Sequence, residues 1–246
     1  PQAFGPFTNF KAKLKIRFAL KTADLVFARD TKSYDYLKKI CPKRKTKMMH
    51  FPDFTIALSD FRIRNREGIC IIPSAKIIKN LSSNQVHLYK NFLLSAIKFF
   101  HSDSINVYIL NHSKNEDKEI CKEIYNNFIN EKNVSLIEIN ETLEIKEFIG
   151  HRSFILSSRY HGLINALTQN VPVASIGWSH KYEYLLKDYS QEDAIINFST
   201  ANKMLSKLKT IFNGGHLEKR IEIISKNNNY QRTKVKQMWD IIKNRI

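Results

Sequence analysis

The chain has 246 residues, of which 43% are hydrophobic, so it can bury one large or two small cores and its composition excludes wholesale disorder. Its formal net charge of +17 favours anionic partners such as nucleic acid, acidic lipid or phosphorylated small molecules, although a generally basic surface is the simpler explanation. Three widely spaced cysteines argue against a disulfide framework or a zinc site and favour a reducing compartment. The sequence contains no apolar run of about 18 residues, so no transmembrane helix is expected.

The first part of the chain alternates between helix and strand signals. The run ADLVFA is short, apolar and bounded by charge, as a buried parallel strand is, and Asp30 after it is positioned to cap a helix. In chain order the pattern predicts a loop, a basic amphipathic helix, a strand, a helix and a strand, at residues 1–10, 11–22, 23–28, 31–40 and 47–50. The polar, charged stretch at residues 59–67 is the predicted linker.

Beyond the linker, short apolar runs alternate regularly with helical spacings. Strands are predicted at 68–74, 105–110, 134–139, 153–158 and 171–177. Helices are predicted between and after them, at 85–101, 118–130, 141–149, 160–169, 180–188, 201–212 and 217–244. This alternation predicts an α/β fold, with right-handed crossovers and a Rossmann-like parallel sheet that has helices on both faces.

The strand-to-helix junction SSRYHG, residues 157–162, carries side chains suited to binding an anion. In open α/β sheets, ligands bind at the carboxyl ends of strands, beside helix N-termini whose N–H groups attract anions. Arg159 can hold a carboxylate or phosphate with two parallel hydrogen bonds, and His161 can transfer a proton near neutral pH. Ser158 can cap the helix or contact a phosphate oxygen. Each residue alone has a simpler structural explanation, but together at a strand end they favour a site.

Two further cations are candidates for the same anion. Lys181 lies in the junction GWSHKY, where its point charge can bind a phosphate, and a solvated loop lysine explains it equally well. Arg29 follows a predicted strand and can reach an anion or form an ordinary pair with a carboxylate. The sequence contains no Walker-type loop, Gly-x-Gly-x-x-Gly, His-Glu-x-x-His or Gly-x-Ser-x-Gly motif and no metal-ligand spacing, so no metal is expected.

Residues 157–186, SSRYHGLINALTQNVPVASIGWSHKYEYLL, resemble the hallmark region of the polysaccharide pyruvyltransferase family. That region has a Ser-x-Arg-x-His start, a small-residue helix, a Val-Pro-Val strand and a Ser-His-Lys element. Three shorter stretches resemble the family in the same order. They are PQAFGPF at 1–7, similar to its Gly-Pro loop, ARDTKS at 28–33, similar to its Arg-Asp-x-x-Ser segment, and FPDFTIAL at 51–58, similar to its Asp-x-x-Phe stretch.

The resemblance implies a fold similar to the GT-B glycosyltransferases, with an active site between two Rossmann-like halves. The family has a glycine-rich segment and most of a first Rossmann domain before the Gly-Pro loop, where this sequence begins. The implied organisation is therefore the C-terminal portion of an N-terminal Rossmann-like domain at 1–60, a Rossmann-like donor-binding domain at 66–200, and closing helices at 201–246.

The resemblance also implies the chemistry. Phosphoenolpyruvate is the implied donor, a sugar or lipid-linked saccharide of a cell-surface or exopolysaccharide is the acceptor, and no cofactor is needed. Arg159 and His161 match the family's donor-binding Arg and His, Lys181 matches its lysine near the phosphate, and Arg29 is a further donor-clamping candidate. His161 is the candidate catalytic residue, for proton transfer or phosphate binding.

Several expectations remain open at this level. Glu183 and Asp30 are the candidates for the base that activates the sugar. A GT-B-type nucleotide-sugar glycosyltransferase and a non-catalytic basic module for acidic polysaccharide or nucleic acid are the alternative functions. Clustering of the cations at strand ends argues against the module, so nucleic acid is not an expected partner. The expected location is cytoplasmic, with peripheral association at the inner face of the membrane as a further option.

Overall fold

The computed structural model describes residues 1–40, 47–58, 65–177, 179–213 and 217–245. It divides into two compact units, a smaller one of Pro1–Leu58 and Asn229–Ile246 and a larger one of Ser59–Asn228. The division falls within the last helix, so the segment predicted to close the fold contributes to both units. Part of the predicted linker, 59–64, lies outside the described residues.

The smaller unit contains a parallel pair of strands with two helices. Leu25 of one strand pairs with Lys47 of the other, and the register continues to Ala28 and His50. Asp30 caps the second helix as predicted, because its carboxylate accepts hydrogen bonds from the backbone N–H and the hydroxyl of Ser33, at 2.7 and 2.8 Å. The elements are α1 (Phe10–Thr22), β1 (Leu25–Ala28), α2 (Thr31–Ile40) and β2 (Lys47–His50), followed by a 3₁₀ turn at Phe54–Ala57.

The larger unit is built on a five-stranded parallel sheet in the order β5-β4-β3-β6-β7. Its strands are β3 (Ile69–Ile72), β4 (Val107–Asn111), β5 (Val134–Glu138), β6 (Phe154–Ser157) and β7 (Val173–Ser175). The helices are α3 (Ala75–Ile78), α4 (Ser83–Ser102), α5 (Lys114–Tyr125), α6 (Thr142–Gly150), α7 (Tyr160–Leu167), α8 (His180–Asp188), α9 (Ala201–Asn213) and α10 (Leu217–Lys243), the last continuing into the smaller unit.

Continuous apolar runs hold this sheet in the interior. All four residues of β3, ICII, and all four of β6, FILS, are buried, as expected for parallel strands covered on both faces. Phe100, Phe154 and Phe212 pack with ring centroids 5.0 to 6.5 Å apart, two of the three pairs edge to face. Full burial of Phe100 and of Phe154 contributes roughly 1.5–3 kcal/mol each, and Phe212 is partly buried against them.

The predicted α/β class with a parallel sheet is confirmed, and the strand and helix signals fall on observed elements. Two details differ. Helix α5 begins at Lys114, four residues before its predicted start, because its polar first turn gave no apolar periodicity. The short helix α3 was not predicted, since four residues after a proline are too few to show a helical period.

Close packing of α7 against the sheet depends on Gly162. A Cβ at this position would lie 2.7 Å from Ser157 Oγ and 2.9 Å from Ile72 Cδ1, so Gly162→Ala must displace these two buried side chains or the helix itself. We expect a loss of about 1–3 kcal/mol in the free energy of unfolding, measured by urea denaturation. Gly177→Ala is the control, because its Cβ would meet its nearest neighbours at 3.5 and 3.6 Å. Equal unfolding midpoints for the two variants would contradict the packing described.

Candidate active site

The site lies where the strand order of the sheet reverses. The chain passes from the central strand β3 to β4 and β5 on one side and then returns to β6 and β7 on the other. In open α/β sheets, ligands bind at such a reversal, beyond the carboxyl ends of the strands, which here are β3 and β6. Tyr89 joins the two strand ends, because its hydroxyl accepts from the Ser74 N–H at 3.0 Å and donates to Ser158 Oγ at 2.8 Å. Ser158 is fully buried there. Substrate contact by this hydroxyl stays a prediction.

A tight turn directs Arg159 away from the end of β6. Ser157 Oγ accepts from the Arg159 N–H at 3.0 Å and donates to the Arg159 carbonyl at 2.9 Å. The guanidinium then binds two carboxylates of α5, with Nε 2.5 Å from Asp117 Oδ2 and Nη2 2.8 Å from Glu116 Oε2; Nη2 also contacts Asp117 Oδ1. Asp117 has no exposed side-chain surface and also accepts from the Ala75 N–H at 2.8 Å.

This ion pair shifts the pKa of Arg159 and that of Glu116. Burial lowers the pKa of Arg159, but the hydrogen bonds and charges of Asp117 and Glu116 outweigh it and raise that pKa above its ordinary value. The Arg159 hydrogen bond holds the pKa of Glu116 below its usual range. The bonds to both carboxylates use Nε and Nη2, so Nη1 is the donor through which Arg159 would meet a further anion.

Tyr160 connects the two predicted junctions. Its ring is perpendicular to the imidazole of His161, with centroids 5.5 Å apart, and Lys181 Nζ lies 5.4 Å from the same ring. Lys181 Nζ is also 5.4 Å from the ring of Tyr182, whose hydroxyl donates to the Ser158 carbonyl at 2.8 Å. His161 is exposed in the first turn of α7. The imidazole and the ammonium therefore lie around one aromatic side chain, at the strand end that holds Arg159.

His112 was missed by sequence reasoning. It follows β4, so the rule that places ligands at strand ends applied to it as well. Asn165 Nδ2 lies 3.4 Å from His112 Nε2. Desolvation, followed by the nearby His161 and Arg159, lowers the pKa of His112 to about 4, so this imidazole is neutral at neutral pH. It borders a cavity of about 430 Å³ lined by His112, Ser113, Lys114, Asn115, Glu116, Asn140, Thr142 and Ile145.

Arg29 lies in the smaller unit. Its Nη1 donates to Asp53 Oδ2 at 2.9 Å, and Asp53 is buried, so the carboxylate pair that the sequence allowed is present. Binding of a donor by Arg29 stays a prediction. Asp30 uses both carboxylate oxygens on Ser33, whereas Glu183 is exposed in the first turn of α8. Activation of the sugar by Asp30 or Glu183 stays a prediction.

The described part of the chain contains no group of three or more His, Cys, Asp or Glu residues that could bind a metal ion. Across the same residues, no helix combines the length and apolar character that crossing a bilayer requires.

The parallel sheet flanked by helices defines a Rossmann-like α/β protein, and the solved structures it resembles identify the fold as GT-B-like. The chain is similar to the pneumococcal O-GlcNAc transferase GtfA, with 10% identity and a TM-score of 0.63 over 99% of this chain and 49% of that one. It is also similar to a putative UDP-N-acetylglucosamine 2-epimerase from Listeria monocytogenes, with 10% identity and a TM-score of 0.67 over 98% of this chain and 65% of that one. The chain thus spans about half to two thirds of these proteins.

The UDP-GlcNAc 2-epimerase from Neisseria meningitidis is a third neighbour, with 15% identity and a TM-score of 0.63 over 97% of this chain and 66% of that one. At such identities the likeness concerns the fold alone. A comparison with curated proteins gives no match. The family described as polysaccharide pyruvyl transferase matches residues 1–180. Because this match covers more than half of the chain, the chain belongs to that family.

Proposed function

We propose that the chain binds phosphoenolpyruvate at the carboxyl edge of the larger sheet and transfers its pyruvyl group to a sugar. The observation that supports this most directly is the shared contact of His161 and Lys181 with Tyr160, beside the strand end that holds Arg159. Family membership supports transfer onto a polysaccharide or its precursor. The identity of the donor and that of the acceptor sugar are both proposed.

The charges of the residues assign each of them a different role in binding the donor. Phosphoenolpyruvate has about three negative charges near neutral pH, since a phosphate monoester alone contributes up to two. Arg159 is already matched by Asp117 and Glu116, so it orients the donor more than it neutralises it. Lys181 and the N–H groups of the first turn of α7 then take the phosphate. His161 is exposed in that same turn, and we assign it to proton transfer at the reacting carbons.

The reaction balances with these groups. A proton added to the methylene carbon of the donor gives a methyl group and leaves an oxocarbenium-like centre at C2. One sugar hydroxyl bonds to C2 and loses its proton, and a second hydroxyl then displaces phosphate from the same carbon. The products are a cyclic pyruvate ketal and hydrogen phosphate. The two sugar hydroxyls release two protons. One of them replaces the proton that was added to the methylene carbon, and the other leaves on the phosphate. His161 holds and delivers the proton to the methylene carbon.

Loss of Lys181 is expected to weaken donor binding. Charge-assisted hydrogen bonds contribute roughly 1.5–3 kcal/mol, so Lys181→Ala should raise the dissociation constant for phosphoenolpyruvate about tenfold or more. Isothermal titration calorimetry measures this directly. Lys187→Ala is the matched control, because it removes an exposed lysine of the same helix. Equal losses in the two variants would contradict a specific role for Lys181.

Titration with UDP-GlcNAc separates the proposal from a nucleotide-sugar glycosyltransferase. This ligand is the natural comparison because two of the similar structures are epimerases of UDP-GlcNAc. We expect saturable binding of phosphoenolpyruvate that UDP-GlcNAc does not displace. Displacement, or binding of UDP-GlcNAc alone, would favour the glycosyltransferase. Binding of acidic polysaccharide that falls steeply with salt, without any response to small donors, would favour the basic module.

A further inference from the structure

Helix α1 presents two apolar stripes on opposite sides. Ile16 and Leu20 face the core of the smaller unit, and Leu20 is 1% exposed. Phe10, Leu14 and Phe18 repeat at intervals of four residues and are 74%, 57% and 69% exposed. At about 100° per residue, the two stripes lie on roughly opposite faces of the helix. The helix is thus held to the protein by one apolar stripe and shows the other to solvent.

Cations surround the exposed stripe on both sides. Lys11 and Lys15 flank it on one side, Lys13 and Arg17 flank it on the other, and Lys21 lies at its C-terminal end. The helix sequence FKAKLKIRFALKT contains no acidic residue. An exposed apolar stripe with two phenylalanines and a border of cations is the pattern of a helix that lies in the plane of a membrane surface.

We propose that α1 is a docking surface for the headgroup region of an anionic lipid bilayer, with Phe10, Leu14 and Phe18 inserted at the boundary of the acyl chains. The lysine stems can extend along apolar surface while their ammonium groups reach lipid phosphates. Anionic lipid matches the charge of the border, whereas a second copy of the same face would bring like charges together. A nucleic acid would use the cations and leave the apolar stripe uncovered.

This proposal does not depend on the donor site, because every residue it uses is on α1. It gives a use to part of the net charge of +17, for which composition alone favoured a generally basic surface. Five of the cations in the chain lie within one 13-residue helix.

Sedimentation with lipid vesicles tests the proposal on the 246-residue chain. One vesicle preparation contains phosphatidylcholine alone. In the other, roughly one lipid in three is phosphatidylglycerol, which supplies the negative surface that attracts basic segments. We expect binding to the second preparation that weakens as salt is raised, and little binding to the first. The experiment is independent of phosphoenolpyruvate, so its failure would leave the proposed activity untouched.

The stripe variant replaces Phe10, Leu14 and Phe18 with glutamine, which keeps helix propensity while removing apolar surface. Burial of such side chains contributes enough that the variant should bind anionic vesicles at least about tenfold more weakly. Its control is Ile129→Gln with Leu143→Gln, which removes two exposed apolar residues of the larger unit. Circular dichroism melting checks that both variants fold like the original chain.

The charge variant is Lys11→Gln with Lys15→Gln, and Lys203→Gln with Lys207→Gln on α9 is its control, since all four lysines are exposed. Each lysine near an anionic surface should contribute about fivefold to binding, so the charge variant should bind about 25-fold more weakly than its control. Equal binding to neutral and anionic vesicles, or undiminished binding by the stripe variant, overturns the proposal. A concentration-dependent dimer that the stripe variant abolishes, with no vesicle binding, overturns it in favour of contact between copies.

Discussion

Replacing Asp117 with asparagine should destabilise the larger unit by about 3 kcal/mol, near the lower end of what loss of one partner costs a buried ion pair. The physical reason is the position of Arg159, whose side chain is 11% exposed and whose Nε and Nη2 both contact this carboxylate. Without that charge, the guanidinium keeps only Glu116, which is partly solvated. Urea unfolding followed by circular dichroism provides the measurement.

Two further variants separate the ion pair from general effects on α5. Glu119→Gln removes an exposed carboxylate from the same helix and should leave the urea midpoint unchanged. Asp117→Leu combined with Arg159→Met removes both charges, and we expect it to be closer to the original chain in stability than Asp117→Asn is. A single Asp117→Asn variant with the original midpoint would show that the pair does not hold the strand end.

The same ion pair reduces the positive charge that Arg159 can offer a ligand in the candidate site. A guanidinium without a carboxylate partner offers a ligand a full positive charge. The charge of Arg159 is offset by Asp117 and Glu116, so this residue offers mainly a fixed hydrogen-bond donor at Nη1. Under the proposed function, the positive charge for a trianionic donor would then come from Lys181 and His161, together with backbone N–H groups. This division explains why the lysine, rather than the arginine, is the better target for a test of donor affinity.

The fold was predictable because its strands are short, apolar and regularly spaced. Leu25–Ala28 and Lys47–His50 were recognisable from apolar runs that end in charge or proline, and the helix at His180–Asp188 from its spacing. The polar first turn of α5 was not, because the partners of the buried Asp117, the Arg159 guanidinium and the Ala75 N–H, are each 42 positions away along the chain. Local pattern gives no information about a partner that distant along the chain.

The site was predictable in kind and less so in arrangement. Strand-end chemistry directed attention to Arg159 and His161, whose roles stay predictions, and the same rule applied to His112 would have added a third candidate. The ring of Tyr160, which contacts both His161 and Lys181, had no signal of its own, since an aromatic residue at a helix start reads as core. Which side chains share a neighbour depends on packing between α7 and α8, which the sequence does not encode locally.

Replacing His161 with glutamine is expected to lower the rate of phosphate release from phosphoenolpyruvate in the presence of an acceptor sugar by about 100- to 10,000-fold, the usual contribution of a positioned acid or base. Glutamine keeps polarity and approximate size but cannot deliver the proton. Since His161 is exposed on the first turn of α7, the change should leave the unfolding midpoint unaltered.

Steady-state release of phosphate, with donor affinity measured in parallel, separates the roles that His161 can have. A large fall in kcat with unchanged affinity for phosphoenolpyruvate supports proton transfer to the methylene carbon, whereas an equal fall in affinity assigns the imidazole to phosphate binding. His87→Gln is the control, because it removes an exposed histidine from α4 of the same unit. Turnover that is undiminished by His161→Gln would remove this residue from the mechanism and leave Arg159 and Lys181 as binding groups alone.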